Sequence, residues 1–334
     1  MRQRKDAGLK ISVIIPTYNY ARFITEAIDS VIAQTFAPSE IIVVDDGSTD
    51  DTIAVLERIK DPRLKVLQLQ RGGVGAAQNA GMKVATGKYV AFLDADDRWL
   101  PTKLERQVEI MEAEPDMVAI FCNFVRFRDD HVYPMDQFKY FPELATIPTQ
   151  PTAAGKGRKI IGNGFSKLVG FTEVPAWVQT IMFRADALST VSFHETLPGQ
   201  SSRLPVFCED MHFCLRVYRL GSVGFIEDSL VEVRRHGDNI TKSVSEMPEA
   251  KLAALQMLGE DDLDANQRMA LRRRVGRAQI EVGLQDIENG DITGAIRAYM
   301  QALGTPGARL SAIKNLVLVP HHSLKRRTAI RQSA

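Results

Sequence analysis

Three cysteines, no long apolar run and almost no net charge set the first limits on this chain of 334 residues. Cys122, Cys208 and Cys214 are odd in number and lack framework spacing. That pattern excludes a disulfide-stapled secreted fold and reads as reduced, partly buried thiols of an intracellular protein. The Cys208–Cys214 interval has no second pair to complete a structural zinc site. No stretch approaches the ~18 apolar residues of a membrane span, and ISVIIP near the start is too short for a signal-peptide core. Lys and Arg number 42 against 41 Asp and Glu, so the concentrated positive charge of a nucleic-acid binder is missing. Glycine is also missing where a dinucleotide would need it. The first apolar run leads into Pro16, Thr17, Tyr18 and Asn19, and the later Gly73-x-Gly75 continues to Gln78 instead of a third glycine. No phosphate loop of the G-x-x-x-x-G-K-[ST] kind occurs.

What the chain does have is alternation. KISVIIP (10–16) and EIIVVDD (40–46) are short, β-branched runs suited to strands buried on both faces, and LKVLQLQ (64–70) and KYVAFLD (88–94) read as a third and a fourth strand. Between them, 21–34 spaces Phe23/Ile24, Ala27/Ile28 and Val31/Ile32 as a helix does, and 73–86 is a glycine-opened helix. Ser48, three residues before Asp51, predicts a capping box ahead of the second helix. A helix from Lys103 to Met111 and a strand over 117–127 follow. This order predicts an α/β fold with a central, mostly parallel sheet and helices on both faces. Ligands of such sheets sit at the carboxyl ends of the strands, where 16–20, 45–48 and 94–97 all fall. From 130 to 175 the pattern loosens into a proline-bearing excursion. EDMHFCLRVYRLG (209–221) then predicts a helix capped by Gly221, and 248–304 is helical in character. Only one helix-hairpin unit is visible, so a solenoid is not supported.

The polar clusters carry the chemistry. A solvated turn capping a helix accounts for single aspartates. Asp94, Asp96 and Asp97 together repel one another unless a cation or hydrogen bonds compensate, and a divalent ion shared with a diphosphate does so economically. Mg²⁺ and Mn²⁺ both suit such ligands. Asp45 and Asp46 are placed to accept hydrogen bonds from a base or ribose. Glu209 and Asp210 open a helix, where the dipole alone would favour them.

Taken together, VIIPTYNYARFITEAIDSVIAQTF, EIIVVDDGSTDDT, NAGMKVATGKYVAFLDADDRWLPTKLE and EDMHFCLRVYRLG closely resemble the family 2, GT-A fold, inverting glycosyltransferases, in order and in spacing. The resemblance covers 10–125 strongly and 175–242 fairly; it is absent from 130–170 and beyond about 248. It implies a GT-A domain over 8–245, divided into a nucleotide-sugar half (8–125) and an acceptor half (126–245), followed by a helical extension over 246–334. It also implies donor contacts from Pro16, Thr17, Tyr18, Asp45, Asp46, Asp94 and Ala95, and a divalent cation, Mg²⁺ or Mn²⁺, on Asp96 with Asp94. Asp210 would be the general base, with Glu209 beside it. Asp97, Trp177 and His236 would lie on the substrate side, His236 through the R-x-H element at 234–236. Gln78 departs from the arginine often found before the family's asparagine, which weakens any diphosphate contact there.

The implied partners are a nucleotide-sugar donor, with a UDP-sugar as default, and a carbohydrate or lipid-linked acceptor of the bacterial envelope. The expected location is the cytoplasm, with peripheral attachment to the inner membrane face open through Lys325, Arg326, Arg327 and Arg331. Competing readings are a nucleotidyltransferase, which lacks its Gly-rich basic loop here, and a non-catalytic carbohydrate-binding protein retaining the fold.

Overall fold

The computed structural model describes residues 9–129, 131–133, 137–171, 174–195, 208–237, 247–305 and 307–319. These divide between two compact units, drawn from 1–168, 172–196 and 209–239 and from 169–171, 197–208 and 240–334 respectively.

The β-branched runs become the centre of the first unit. β1 (Ile11–Thr17) and β2 (Glu40–Asp45) are buried at every position, as their lack of polar alternation requires. α1 (Ile24–Ile32) turns Ile24, Ala27, Ile28 and Val31 inward. α2 (Thr52–Leu56), β3 (Leu64–Gln68), α3 (Val74–Val84) and β4 (Tyr89–Phe92) complete the alternation. Then follow β5 (Arg98–Trp99), α4 (Lys103–Ala113), β6 (Met117–Arg128), β7 (His131–Tyr133), α5 (Pro142–Thr146), β8 (Thr149–Pro151), β9 (Arg158–Ile160) and α6 (Gly164–Leu168). β10 (Ile181–Arg184), α7 (Ala185–Leu188), α8 (Glu209–Tyr218) and β11 (Ser222–Arg234) close the unit.

One sheet runs β3-β2-β1-β4-β10-β6-β11-β9-β8, with β5 on β11 and β7 on β6. β3, β2, β1 and β4 are mutually parallel, and β10 runs antiparallel between β4 and β6. This is the mixed α/β architecture with a parallel heart that the alternation predicts. The proline-bearing excursion is not a separate module: its β8–β9 hairpin extends the sheet beyond β11.

Two local expectations fail for identifiable reasons. Asp51 makes no side-chain cap on α2; Asp50 takes that place, accepting from the Thr52 N–H at 3.0 Å and the Ala21 N–H at 3.1 Å. Ser48 meanwhile accepts from the Asn19 N–H at 2.9 Å, so the polar run after β2 is stitched to the loop after β1. Gly221 is no left-handed cap, because α8 ends at Tyr218. A Cβ there would lie 2.5 Å from Val118 Cγ1 and 2.8 Å from the Asp116 carbonyl, so glycine permits a close backbone approach.

The second unit is helical: α9 (Met247–Met257), α10 (Ala265–Asn289), α11 (Ile292–Leu303) and a further helix over 309–319. A capping box between Asp264 and Gln267 starts α10. Ile287, Ala295, Tyr299 and Val319 form one small core, and Ala302, Ala308 and Ala312 another. No helix among the described residues is long and apolar enough to cross a membrane, and Cys122, Cys208 and Cys214 are buried and form no disulfide.

Candidate active site

Parallel register decides which loops meet. β1 pairs with β2 as far as Thr17 opposite Asp45, and with β4 as far as Ile14 opposite Phe92. The segments after all three strands therefore emerge along one edge of the sheet.

At the β1–β2 end, Thr17 and Asp45 are almost fully buried, and Thr17 Oγ1 and Asp45 Oδ1 lack a hydrogen-bond partner. Buried orphans of this kind cost free energy unless something else satisfies them. Pro16 is buried in the ladder opposite Val44. Tyr18 is half-exposed under the Arg71 guanidinium, which stacks 3.3 Å from the ring centroid. Asp46 does not stand open: its two oxygens accept from the Gly72 N–H at 2.7 Å and the Gly73 N–H at 2.8 Å. Gly73 has φ of 92°, which turns that N–H toward Asp46 at the entrance to α3. Asp46 thus clamps the third-strand loop, and any nucleotide contact must use its remaining lone pairs. Gln78 is buried in α3 with Oε1 unpartnered.

At the β4 end the aspartates divide. Asp97 is buried, accepting from the Arg234 N–H at 2.8 Å and from Gln179 Nε2 at 3.2 Å. It joins the turn to β11 from a buried position. Burial first, then Asp96 and Asp94, push its carboxyl well above the usual carboxylate range. Ala95 likewise turns its methyl into the core. Asp94 and Asp96 are only half-buried. Asp96 Oδ2 lies 2.8 Å from His236 Nε2. The His236 ring packs 4.9 Å from Phe23 and 6.1 Å from Tyr20, centroid to centroid, with Arg22 3.3 Å from Nδ1.

The start of α8 joins this cluster because an aromatic knot carries it there. Phe213, one turn after Asp210, packs edge-on against Phe92 at the end of β4 and against Phe183 of β10, and it stacks on Phe193 at 3.7 Å. Asp94 is pushed up to about 7, by burial and then by the carboxylates of Asp96 and Asp210. Glu209 is raised well above its ordinary range by burial, then by Asp210 and Asp94. Tyr20 is raised too, by burial and then Asp96, Asp94 and Asp97. Asp94, Asp96, Asp210 and Glu209 thus share one electrostatic neighbourhood. Trp177 is half-buried against Phe124 at 5.0 Å and Phe141 at 4.8 Å, as a packing residue.

No group of three or more His, Cys, Asp or Glu in metal-holding geometry occurs among the described residues. The chemistry of Asp94 and Asp96 still fits a hard divalent cation: both are oxygen donors, and their mutual repulsion is what such an ion relieves.

Several contributors were not singled out from sequence. Tyr20, Arg22 and Phe23 hold His236, yet read locally as the approach to a helix. Arg71 stacks on Tyr18 from a loop dominated by glycines. Asn79 holds 193–195 over α3, accepting from the Phe193 N–H at 2.8 Å and donating to its carbonyl at 2.9 Å; no spacing rule links these residues.

Residues 12–168 match the family model described as glycosyl transferase family 2. Over those residues, just under half of its length, the chain is similar to that family. An uncharacterized glycosyltransferase of Nostoc sp. is 50% identical over 115 residues, 34% of this chain and 35% of that one. The UDP-Glc:alpha-D-GlcNAc-diphosphoundecaprenol beta-1,3-glucosyltransferase WfaP of Escherichia coli is 41% identical over 105 residues, 31% of this chain and 42% of its own. The chain thus spans well under half the length of these relatives. Residues 1–349 of S. aureus TarS, in complex with UDP-GlcNAc, align over 97% of this chain and 92% of that one, with a TM-score of 0.64 and 20% identity. That likeness establishes the GT-A fold.

Proposed function

We propose that the chain transfers a sugar from a nucleoside-diphosphate donor, by default a UDP-sugar, to an acceptor hydroxyl with inversion. The observation that carries this reading is the carboxylate cluster: Asp94 feels both Asp96 from its own turn and Asp210 from a distant helix start. We assign 8–245 as the catalytic domain and 246–334 as an extension to it. Thr17, Asp45 and the Tyr18–Arg71 stack, with Asp46 behind them, face the nucleoside.

Asp96 and Asp94 would hold a divalent cation, Mg²⁺ or Mn²⁺, which when bound offsets charge on the donor's diphosphate. A Mn²⁺ complex is recorded for a fold relative, the mannosyltransferase PcManGT of Pyrobaculum calidifontis, at a TM-score of 0.55. His236, hydrogen-bonded to Asp96, fixes the orientation of that carboxylate. The acceptor oxygen bonds to the anomeric carbon as the bond from that carbon to the diphosphate oxygen breaks, its electron pair leaving with the nucleoside diphosphate. Asp210 takes the hydroxyl proton. Glu209, raised well above its ordinary range by burial and then by Asp210 and Asp94, stands beside the base at the start of the same helix.

The relatives support an envelope-glycan setting: WfaP acts on a diphosphoundecaprenol-linked sugar, and the putative TuaG of Bacillus subtilis is named for teichuronic acid biosynthesis. A lipid-linked acceptor in the cytoplasm, met at the membrane face, is the corresponding proposal here. The test is a screen of nucleotide sugars, with and without Mg²⁺ or Mn²⁺, against lipid-linked acceptors. Acceptor-dependent release of nucleoside diphosphate and an inverted anomeric centre by NMR are expected, together with a cation-dependent rise in Tm on adding UDP. Release of pyrophosphate would point to a nucleotidyltransferase, and donor binding without transfer to a binding protein.

A further inference from the structure

The helix over 309–319 has two unlike faces. Ala312 and Val319 are buried against the small cores of the helical unit, and Leu316 packs beside them. On the opposite face Leu310, Ile313 and Val317 follow at i, i+3 and i+7, with relative exposures of 82%, 47% and 72%. Three large aliphatic side chains in one stripe on a helix already satisfied on its other side are not explained by the core of their own unit. Arg309 and Lys314, both exposed, fall on opposite flanks of the stripe at helical spacing.

Charge identifies the occupant. From 292 to 334 the sequence holds seven basic residues, Arg297, Arg309, Lys314, Lys325, Arg326, Arg327 and Arg331, and no acidic one. The whole chain is only +1, so the remainder is at −6. The tail cations lie outside the described residues. A second copy of this chain offers no acidic counterpart on the same segment, and a neutral apolar partner gives no reason for the one-sided charge. We propose that helix 309–319 docks on an anionic phospholipid surface. Leu310, Ile313 and Val317 enter the headgroup–acyl boundary, while Arg309 and Lys314 meet lipid phosphates. Apolar burial and basic charge are then two weak signals that suffice only together. The proposal extends the reading of a lipid-linked acceptor and names the surface that brings the enzyme to it.

The test is sedimentation of the full chain with phosphatidylglycerol–phosphatidylcholine vesicles and with phosphatidylcholine alone, free of donor and acceptor. The chain is expected to bind the anionic vesicles and to leave the neutral ones, with binding weakened by 0.5 M salt. L310S/V317S, checked for unchanged Tm, should bind at least about tenfold more weakly. R309Q/K314Q should lose about fivefold per charge at low salt. Parental binding by L310S/V317S, no binding by the parent, or a dimer dissolved by L310S/V317S with vesicle binding intact would each overturn the proposal. Because no sugar transfer is read, failure of the transferase reading shows separately, as absent turnover on a soluble acceptor.

Discussion

Two acidic regions lie within the same unit and are built on opposite principles. Around Glu26 the carboxylates face arginines. Glu26 pairs with Arg98 at 2.6 Å and also with Arg234, and Glu232 pairs with Arg98. Both guanidiniums also lie over the Phe127 ring, at 4.2 and 4.3 Å. Around Asp94 the carboxylates face one another, and burial raises instead of relieves the cost of their charge. The first arrangement stabilises the fold. The second opposes it, and like charges gathered together are what a site for cationic or proton-transfer chemistry requires. Arg234 connects the two regions, donating from Nε to the Asp96 carbonyl at 2.8 Å while its own N–H holds Asp97.

Substitutions can break this contrast. Asp210→Asn should lower sugar transfer by about 10²–10⁴-fold with donor binding retained, read by steady-state kinetics and UDP titration. Tm should not fall, because a like charge has been removed; a collapsed Tm with activity proportional to folded protein would make Asp210 structural. Arg234→Met should instead destabilise by about 2–4 kcal/mol, measured by urea unfolding, because Glu26 loses a partner and the turn at Asp96 loses its tether.

A smaller effect, with the opposite sign, is expected at Lys103. It is fully buried over the Trp99 ring at 3.9 Å and donates to Gln107 at 2.9 Å. Burial lowers its pKa to about 8. The unfolded chain therefore holds more protons between about 8 and the ordinary lysine value, so stability should rise with pH across that window. Lys103→Met should abolish that rise and gain about 1 kcal/mol at pH 7, the lost hydrogen bond offsetting part of the relief. Least affected should be Lys156→Ala. Its pair with Glu109 at 2.7 Å is exposed on both sides, and unfolding should shift by less than about 0.5 kcal/mol.

Much of the first unit was legible before any coordinates. The β-branched runs at 10–16 and 40–46 lack polar alternation and suit strands buried on both faces, as β1 and β2 are, and the alternation of strands with amphipathic helices leaves few topologies. The acidic clusters at strand ends were visible for the same reason. Their individual roles were not. Asp94, Asp96 and Asp97 look equivalent in AFLDADDRW, but Asp97 is held by β11 while Asp94 feels Asp210, a division made by the turn and by Arg234. Asp46 likewise looked open for a ligand until Gly72 and Gly73 came round to it.

By itself, then, the order of apolar and polar residues determined the strands, the helices and the edge of the sheet on which chemistry could occur, because burial and backbone hydrogen bonding act over a few residues at a time. Tertiary structure alone decided that Asp210 stands by Asp94 and that His236 holds Asp96. Those contacts depend on a ring of Phe213 fitting beside Phe92, and on a long strand returning past the turn after β4. Neither is a property of any short stretch of chain.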